Sequence, residues 1–134
     1  IHGTGASGHT WRDLLWPLAE HAQVWVVDLP GHGFSSLAAG QGMSMSGMAV
    51  SLNALMHKLG VAVDIFIGHS AGAAIAGRMV IDHSLTPQAL FGINPAWLPL
   101  PGSARFLMNT SEIWFVTTYP KVHEDNLTIV FTAG

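Results

Sequence analysis

The sequence predicts an α/β fold with a mostly parallel sheet and helices on both faces. Short apolar runs alternate with segments of helical periodicity, in the order strand, helix, strand, helix, strand, helix, strand. Such alternation is typical of a parallel sheet covered by helices. The runs at 61–67 and 89–93 are almost continuously apolar, as expected for strands buried on both faces. At 134 residues, the chain can form one domain with a sizeable core.

The first predicted elements are the end of a strand, a loop and a helix. Ile1 is predicted to end the strand, and the Gly-, Ser- and Thr-rich residues 2–8 to form the loop. Thr10 can cap the helix, with Asp13 three residues later in a capping-box arrangement. Pro17 is expected to open the main part of this helix. Its apolar side chains have helical spacing and are Trp11, Leu14, Leu15 and Leu18.

The middle of the chain continues the alternation. A short apolar strand is predicted at 23–28, followed by a Pro-Gly-His-Gly turn at 30–33. Methionines and leucines recur in steps of three and four over 45–59, which predicts an amphipathic helix that Gly60 ends. After the next strand, a helix is predicted at 71–83, where small side chains allow close approach to the sheet.

The last third of the chain differs in character. Prolines and a glycine make a stiff exit from the strand at 89–93, and the apolar segment beyond them has no clean periodicity. We expect an α/β core at 1–96, a shortened cap or insertion at 97–126, and a return strand of the core at 127–134. The chain begins without Met or a signal peptide and ends directly after an apolar run, so we interpret it as a fragment.

The composition argues against several classes of function. A net charge of −3 with only five Lys and Arg disfavours a nucleic-acid partner. No apolar run approaches the ~20 residues that a membrane-spanning helix needs. The absence of cysteine excludes disulfides and thiolate metal sites, and it permits the cytoplasmic location that we expect. The eight histidines lack metal-binding spacing, and Gly3, Gly5 and Gly8 lack dinucleotide-loop spacing, so no metal or cofactor is expected.

One five-residue pattern lies between a predicted strand and a predicted helix. Residues 68–72 read Gly-His-Ser-Ala-Gly, and a Gly-x-Ser-x-Gly pattern in this position is typical of a serine nucleophile on an elbow. A serine hydroxyl needs a base that takes its proton and N–H donors that hold the oxyanion. We predict Ser70 as the nucleophile. The backbone N–H groups of Ala71 and of Thr4, in the His-Gly-Thr-Gly loop, are the predicted oxyanion donors.

Three motifs together resemble those of the α/β-hydrolase family. They are His2-Gly3 as the oxyanion loop, the Asp-x-x-Gly-x-Gly-x-Ser turn at 28–35, and the nucleophile elbow at 68–72. The resemblance covers residues 1–96. More narrowly, some segments resemble the α/β-hydrolases of bacteriochlorophyll biosynthesis that accompany magnesium chelatase. These segments are 2–7, 11–14, 42–45, 68–74 and 98–102.

The resemblance implies a serine esterase-like enzyme that hydrolyses an ester-like, apolar acyl substrate. In this family the catalytic acid and then the histidine follow the serine along the chain. Neither His83, at the end of the elbow helix, nor His123, before the last strand, suits the base. Both missing groups are therefore expected beyond Gly134, and the fragment itself is expected to be inactive. The alternative is a non-catalytic accessory protein that binds a small apolar molecule or tetrapyrrole and associates with the magnesium-chelatase system.

Other polar residues near these motifs have structural interpretations. Asp28 is expected to hold its loop by accepting backbone N–H bonds, and Ser35 is expected to be structural as well. The side chain of His69 is expected to point away from Ser70 and to be packed or hydrogen-bonded. The apolar segment at 95–119 either covers the site or fills the core, and the sequence is equally compatible with both.

Overall fold

The computed structural model describes residues 1–37, 43–96, 112–116 and 129–130. In chain order, its elements are a 3₁₀-helix at Gly8–Trp11, α1 at Arg12–Ala19, α2 at Met45–Leu59, β1 at Ile65–His69, α3 at Ala71–Ile81, β2 at Ala89–Ile93, β3 at Glu112–Val116 and β4 at Ile129–Val130. Within the described ranges, no helix combines the length and the apolar character needed to cross a membrane.

The strands form one sheet in the order β1-β2-β3-β4. The first three are parallel, with Phe66 opposite Leu90 and Leu90 opposite Ile113, whereas β4 runs antiparallel to β3. The prediction of a mostly parallel sheet is therefore confirmed. β3 lies in the segment predicted as a cap or insertion, and β4 in the segment predicted as a return strand. The domain boundaries at 96 and 126 stay a prediction, because most of residues 97–134 lie outside the described ranges.

Two segments predicted as strands, Ile1 and 23–28, are not assigned as strands. Ile1 does lie against β1, since its amino group donates to the Ile67 carbonyl at 2.6 Å and its carbonyl accepts from the His69 N–H at 2.9 Å. Residues 22–27 and 61–67 both line a groove of about 350 Å³, and no backbone hydrogen bond joins the two segments among the described residues. A strand exists only through a hydrogen-bonded neighbour. The prediction at 23–28 fails for that reason.

The first helix begins earlier than predicted, and another residue caps it. Ser7 is the N-cap of the 3₁₀-helix, and its Oγ accepts from the His9 N–H at 3.4 Å. Thr10 lies inside this helix, so the predicted capping box is wrong. Pro17 lies within α1 rather than opening it, and its ring removes one backbone donor from the helix.

α2 has the bounds that the sequence predicts. The Ser44 Oγ caps its first turn by accepting from the Gly47 N–H at 3.1 Å. Gly60 ends the helix with a φ of 65°, and its N–H bonds back to the His57 carbonyl at 3.2 Å. The side chains that α2 buries in the core are Met48, Ala49 and Leu52.

α3 contacts β1, β2 and α2, and it holds the centre of the core. Eight of its 11 residues are buried. The largest fully buried apolar side chains of the described residues are Leu29, Ile75, Met79, Leu90 and Val80. The helix ends at Ile81 rather than at residue 83, because His83 is left-handed with a φ of 54°. This packing fixes the start of α3, and hence Ser70, at the end of β1.

Candidate active site

Ser70 is the single residue between the end of β1 and the start of α3. Its φ of 52° and ψ of −117° lie outside the regions that L-residues favour. Such a conformation costs about 1–3 kcal/mol and persists only where the surrounding structure enforces it. The elbow that the Gly-x-Ser-x-Gly pattern predicts is therefore present at this position.

The glycines on either side of the elbow leave no room for a side chain. A Cβ at Gly68 would lie 2.5 Å from the backbone N of Ala73. A Cβ at Gly72 would lie 2.5 Å from the carbonyl oxygens of both Ile1 and His2. Because Cβ atoms essentially never approach backbone atoms this closely, either substitution would force the helix and its neighbours apart.

The His-Gly-Thr-Gly loop lies directly against the elbow. A Cβ at Gly3 would lie 3.0 Å from the Cβ of Ser70 and 3.1 Å from the Nδ1 of His69. Gly5 has a φ of 72°, which glycine adopts without the penalty that other residues incur. Thr4 is exposed between these two glycines. The loop residue predicted as an oxyanion donor is thus the immediate chain neighbour of the residue that contacts the elbow.

The N-terminus of α3 lies directly after Ser70. The Ser70 carbonyl accepts from the N–H groups of Ala73 and Ala74, at 3.2 and 3.3 Å. The N–H of Ala71 is among the first of the helix, which have no intrahelical partner, and a helix N-terminus carries partial positive charge. The arrangement can stabilise a negative charge beside Ser70. The specific roles of Thr4 and Ala71 as oxyanion donors stay a prediction.

The His2 side chain links the His-Gly-Thr-Gly loop to the turn at 28–35. Its ring is fully buried, and its Nε2 accepts from the Leu29 N–H at 3.0 Å. The ring proton is therefore on Nδ1, which donates to the Gly3 carbonyl at 2.8 Å. Burial lowers the pKa of His2 below its ordinary 6.5, so the neutral imidazole is favoured. The sequence interpretation missed this role, since a His-Gly pair does not indicate where the ring bonds.

Asp28 holds the turn together, as predicted. One carboxylate oxygen accepts from the Gly8 N–H at 2.6 Å, and the other accepts from the Phe34 N–H at 2.9 Å. These two backbone hydrogen bonds lower the pKa of Asp28. The Ser35 Oγ donates to the Asp28 carbonyl at 2.8 Å, which agrees with a structural role for that serine.

The site combines a serine on a strained strand-to-helix elbow, a glycine-rich loop packed on it, and a parallel sheet beneath. The family profile described as alpha/beta hydrolase fold matches residues 1–129. The chain belongs to the α/β-hydrolase family. The family resemblance of the three motifs is thereby confirmed.

Individual relatives of this α/β-hydrolase agree with the profile. The chain is 42% identical over 97 residues to the magnesium-chelatase 30 kDa subunit of Rhodobacter capsulatus. The matched region covers 72% of this chain and 33% of that protein. It is 37% identical over 84 residues to a pimeloyl-[acyl-carrier protein] methyl ester esterase of Vibrio cholerae. This match covers 63% of this chain and 31% of the esterase. The first of these confirms the narrower resemblance to proteins that accompany magnesium chelatase.

A solved structure gives the same fold. An alpha/beta hydrolase fold protein from Burkholderia ambifaria matches with a TM-score of 0.68 and 25% identity, over 76% of this chain and 37% of the other. This α/β-hydrolase chain spans about a third of the length of the relatives that it matches, at 33% and 31% of the two named above.

In the part of the chain that the structure describes, neither His69 nor His83 forms a catalytic pair with Ser70. The Nδ1 of His69 is buried beside Gly3 and has no hydrogen-bond partner among the described residues. His83 follows the C-terminal end of α3, a helix of 11 residues and therefore about 16 Å long. His123 lies outside the described residues.

Two further observations concern ligands. The described part of the chain contains no cluster of three His, Asp or Glu side chains that could hold a metal ion. A cavity of about 340 Å³ lies between the Asp28 turn and α2, lined in part by Leu29, Phe34 and Leu52. Ser70 lines neither this cavity nor the groove beside β1.

Proposed function

We propose that this α/β-hydrolase chain is part of a serine hydrolase that cleaves an ester-like acyl substrate. The observation that carries the proposal is the backbone of Ser70, strained at a φ of 52° between β1 and the N-terminus of α3. Strain of this kind clusters at functional sites, where a side chain is held in a position that chemistry requires. The close approach of the Gly3 loop to Ser70 supports the same function.

In the proposed reaction, the Ser70 Oγ attacks the acyl carbonyl carbon while a base takes its proton. The resulting oxyanion accepts hydrogen bonds from the N–H groups of Thr4 and Ala71, each of which lowers the barrier by about 3 kcal/mol. The tetrahedral intermediate then collapses. The ester C–O bond breaks, and the base returns its proton to the leaving alcohol. Water hydrolyses the acyl-serine through the same steps and releases the acid.

The base and the acid that orients it are proposed to lie beyond Gly134. His83 is separated from Ser70 by the whole length of α3, and an effective base needs to be within hydrogen-bond distance of the serine. The chain spans about a third of the length of its relatives, at 33% and 31%. A protein of the relatives' length would have ample sequence for both groups.

The names of the relatives support a proposed substrate class. One is named for the hydrolysis of a methyl ester on an acyl group. We accordingly propose a carboxylic ester with an apolar acyl part, hydrolysed without a cofactor. A cytoplasmic location belongs to the same proposal and is compatible with a chain that has no cysteine.

Labelling of the full-length protein with a fluorophosphonate tests this function. The reagent phosphonylates an activated serine Oγ irreversibly, so the wild type is expected to be labelled and Ser70→Ala is not. Ser36→Ala, at an exposed serine, is the matched control and is expected to be labelled like the wild type. An unlabelled wild type, or equal labelling of Ser70→Ala, contradicts the serine-hydrolase proposal.

The 42% identity to a magnesium-chelatase subunit favours a second candidate function. In it, the protein is an accessory that binds a small apolar molecule or a tetrapyrrole and associates with the magnesium-chelatase system. The Ser70 hydroxyl is then dispensable. Quenching of tryptophan fluorescence by protoporphyrin in both wild type and Ser70→Ala, without fluorophosphonate labelling, would select the accessory function. Ser70-dependent labelling without quenching would select the hydrolase.

A further inference from the structure

The backbone of Ser70 is bonded on both sides to the segment that leaves β2. Its N–H donates to the Ile93 carbonyl at 2.9 Å, and its carbonyl accepts from the Ala96 N–H at 3.1 Å. The same carbonyl also accepts from two N–H groups of α3, so Ser70 makes four backbone hydrogen bonds. The helix therefore holds Ser70 from one side, and the exit of β2 holds it from the other.

The bond to Ala96 departs from a regular parallel ladder. β1 and β2 pair with His69 opposite Ile93, which places Ser70 opposite Asn94. In a parallel ladder, the N–H and C=O of one residue bond to the residues just before and just after its partner. Ser70 should therefore bond to Ile93, as it does, and to the N–H of residue 95. Residue 95 is proline and has no N–H.

The Ser70 carbonyl bonds instead to the N–H of Ala96, one residue further along the chain than a regular ladder requires. The segment that leaves β2 therefore contains one extra residue. Asn94 has a φ of 42°, in the left-handed region. Asparagine is one of the few residues other than glycine that adopt this conformation readily. The turn at Asn94, followed by the fixed φ of Pro95, brings the Ala96 N–H to the position that a regular ladder would give to residue 95. Such an insertion has the character of a β-bulge.

We propose that Asn94 and Pro95 form a positioning bulge that holds Ser70 in its left-handed conformation and so sets the direction of its Oγ. The inference rests on the proposed function of Ser70 as a nucleophile. A strained residue relaxes unless its surroundings over-determine it. The bulge supplies one of the four bonds that prevent relaxation, through Ala96, and the end of β2 supplies another, through Ile93. Rotation of the peptide between Ser70 and Ala71 would misdirect the Ala71 N–H, and rotation about the Ser70 N–Cα bond would misdirect the hydroxyl.

The bulge is expected to affect the chemical step more than binding. The Oγ and the Ala71 N–H act on the reacting carbonyl, whereas the bulk of a substrate contacts other groups. Backbone strain of about 1–3 kcal/mol corresponds to between about fivefold and 150-fold in a rate. A reactive probe that separates the maximal rate of inactivation from the affinity for the reagent can resolve this difference.

The test compares three variants of the full-length protein by fluorophosphonate inactivation. Asn94→Val disfavours the left-handed conformation and is expected to lower the maximal inactivation rate about tenfold, with an unchanged half-saturating concentration. Asn94→Gly keeps that conformation accessible and is expected to react within about threefold of the wild type. Pro95→Ala provides an N–H at residue 95, which lets the ladder become regular, and is expected to slow inactivation as Asn94→Val does.

Each outcome bears on the bulge. Wild-type rates in folded Asn94→Val and Pro95→Ala overturn the proposal, and a slow Asn94→Gly shows that the asparagine side chain matters instead of the backbone. If Asn94→Val does not fold, the inactivation rate of Pro95→Ala decides.

If the wild type itself does not react, the proposed function fails, and the bulge is then tested by a crystal structure of Pro95→Ala. A Ser70 φ that stays positive there, with Ala96 still bonded to its carbonyl, overturns the role of Pro95.

Discussion

The Ser70 elbow and the His-Gly loop meet in one site, but different interactions hold them. The elbow is fixed by main-chain hydrogen bonds and by the steric demand of Gly68 and Gly72. The loop is fixed by the side chains of His2 and Asp28, which tie it to the following turn. Main-chain bonds do not titrate, whereas an imidazole and a carboxylate do. The elbow should therefore be sensitive to added volume, and the loop should be sensitive to pH.

The largest effect is expected for Gly72→Ala, which tests the steric half of this contrast. The new Cβ would lie 2.5 Å from two carbonyl oxygens, and relief of that overlap is expected to lower the free energy of unfolding by about 3 kcal/mol. Urea unfolding of the full-length protein, followed by tryptophan fluorescence, measures the loss. Gly60→Ala is the control, because its Cβ meets open space at a φ of 65° and should cost only about 1 kcal/mol. Equal losses would contradict the steric account.

Asp28→Ala is expected to have the next largest effect, because it leaves the N–H groups of Gly8 and Phe34 without their acceptor. The expected loss in the free energy of unfolding is about 2–3 kcal/mol near neutral pH. The lowered pKa of Asp28 gives the sign of its pH dependence. Its stabilising contribution is present above the ordinary pKa of 3.8 and is lost as the pH falls through the lower native pKa.

The same urea titration checks this prediction at neutral and at acid pH. Asp13→Ala, at a carboxylate that is 83% exposed, is the matched control and should change stability by no more than about 0.5 kcal/mol. A loss for Asp28→Ala that is as small as the control's, or that grows on acidification, would show that these bonds do not hold the turn.

The smallest effect is expected for His2→Gln, and it is a change in how the free energy of unfolding depends on pH. The native pKa of His2 lies below its ordinary 6.5, mainly because of burial. The unfolded chain therefore binds more protons than the native state below pH 6.5. The contribution of neutral His2 is fully present above that pH and is lost as the pH falls through the native pKa. Glutamine does not titrate, so the variant should lose less stability between about pH 7.5 and pH 5.

The difference in pH dependence between the wild type and His2→Gln reports the titration of His2 together with its coupling to nearby groups. The Oδ1 of Asp28 lies 3.9 Å from the His2 Nε2, and the ring centroids of His32 and His2 are 5.2 Å apart. Asp28 and His32 are present in both proteins. Free energies of unfolding measured across the range check the prediction, with exposed His57→Gln as the control. Parallel curves for wild type and His2→Gln would contradict it.

The parts of the fold that the sequence predicts correctly are those that local chemistry determines. The left-handed conformation at Gly60 ends α2 whatever lies around it. Gly68 is required because the clash that it avoids, with the backbone of Ala73, arises within one strand-turn-helix unit. The anchoring role of Asp28 also follows from its place before a Gly-rich turn. These features need little knowledge of distant residues.

The features that the sequence does not predict depend on residues far apart in the chain. The apolar run at 23–28 has strand composition, but only a hydrogen-bonded neighbour would make it a strand. The bond from the Leu29 N–H to His2 spans 27 residues, and no pattern in either segment indicates it. The bulge at Asn94 depends on the register between two strands, which becomes known only when the sheet forms.

The composition of α3 has a consequence for the entropy of the site. Six of its 11 residues are alanine or glycine, whose side chains have no rotamer freedom to lose when they are buried. Ordering the helix that begins next to Ser70 therefore costs little side-chain entropy. It also offers few alternative packings, since an alanine cannot change rotamer to fill a gap. The apolar burial that anchors α3 comes instead from Ile75, Met79 and Val80, so changes to those three would loosen the elbow without altering any residue beside it.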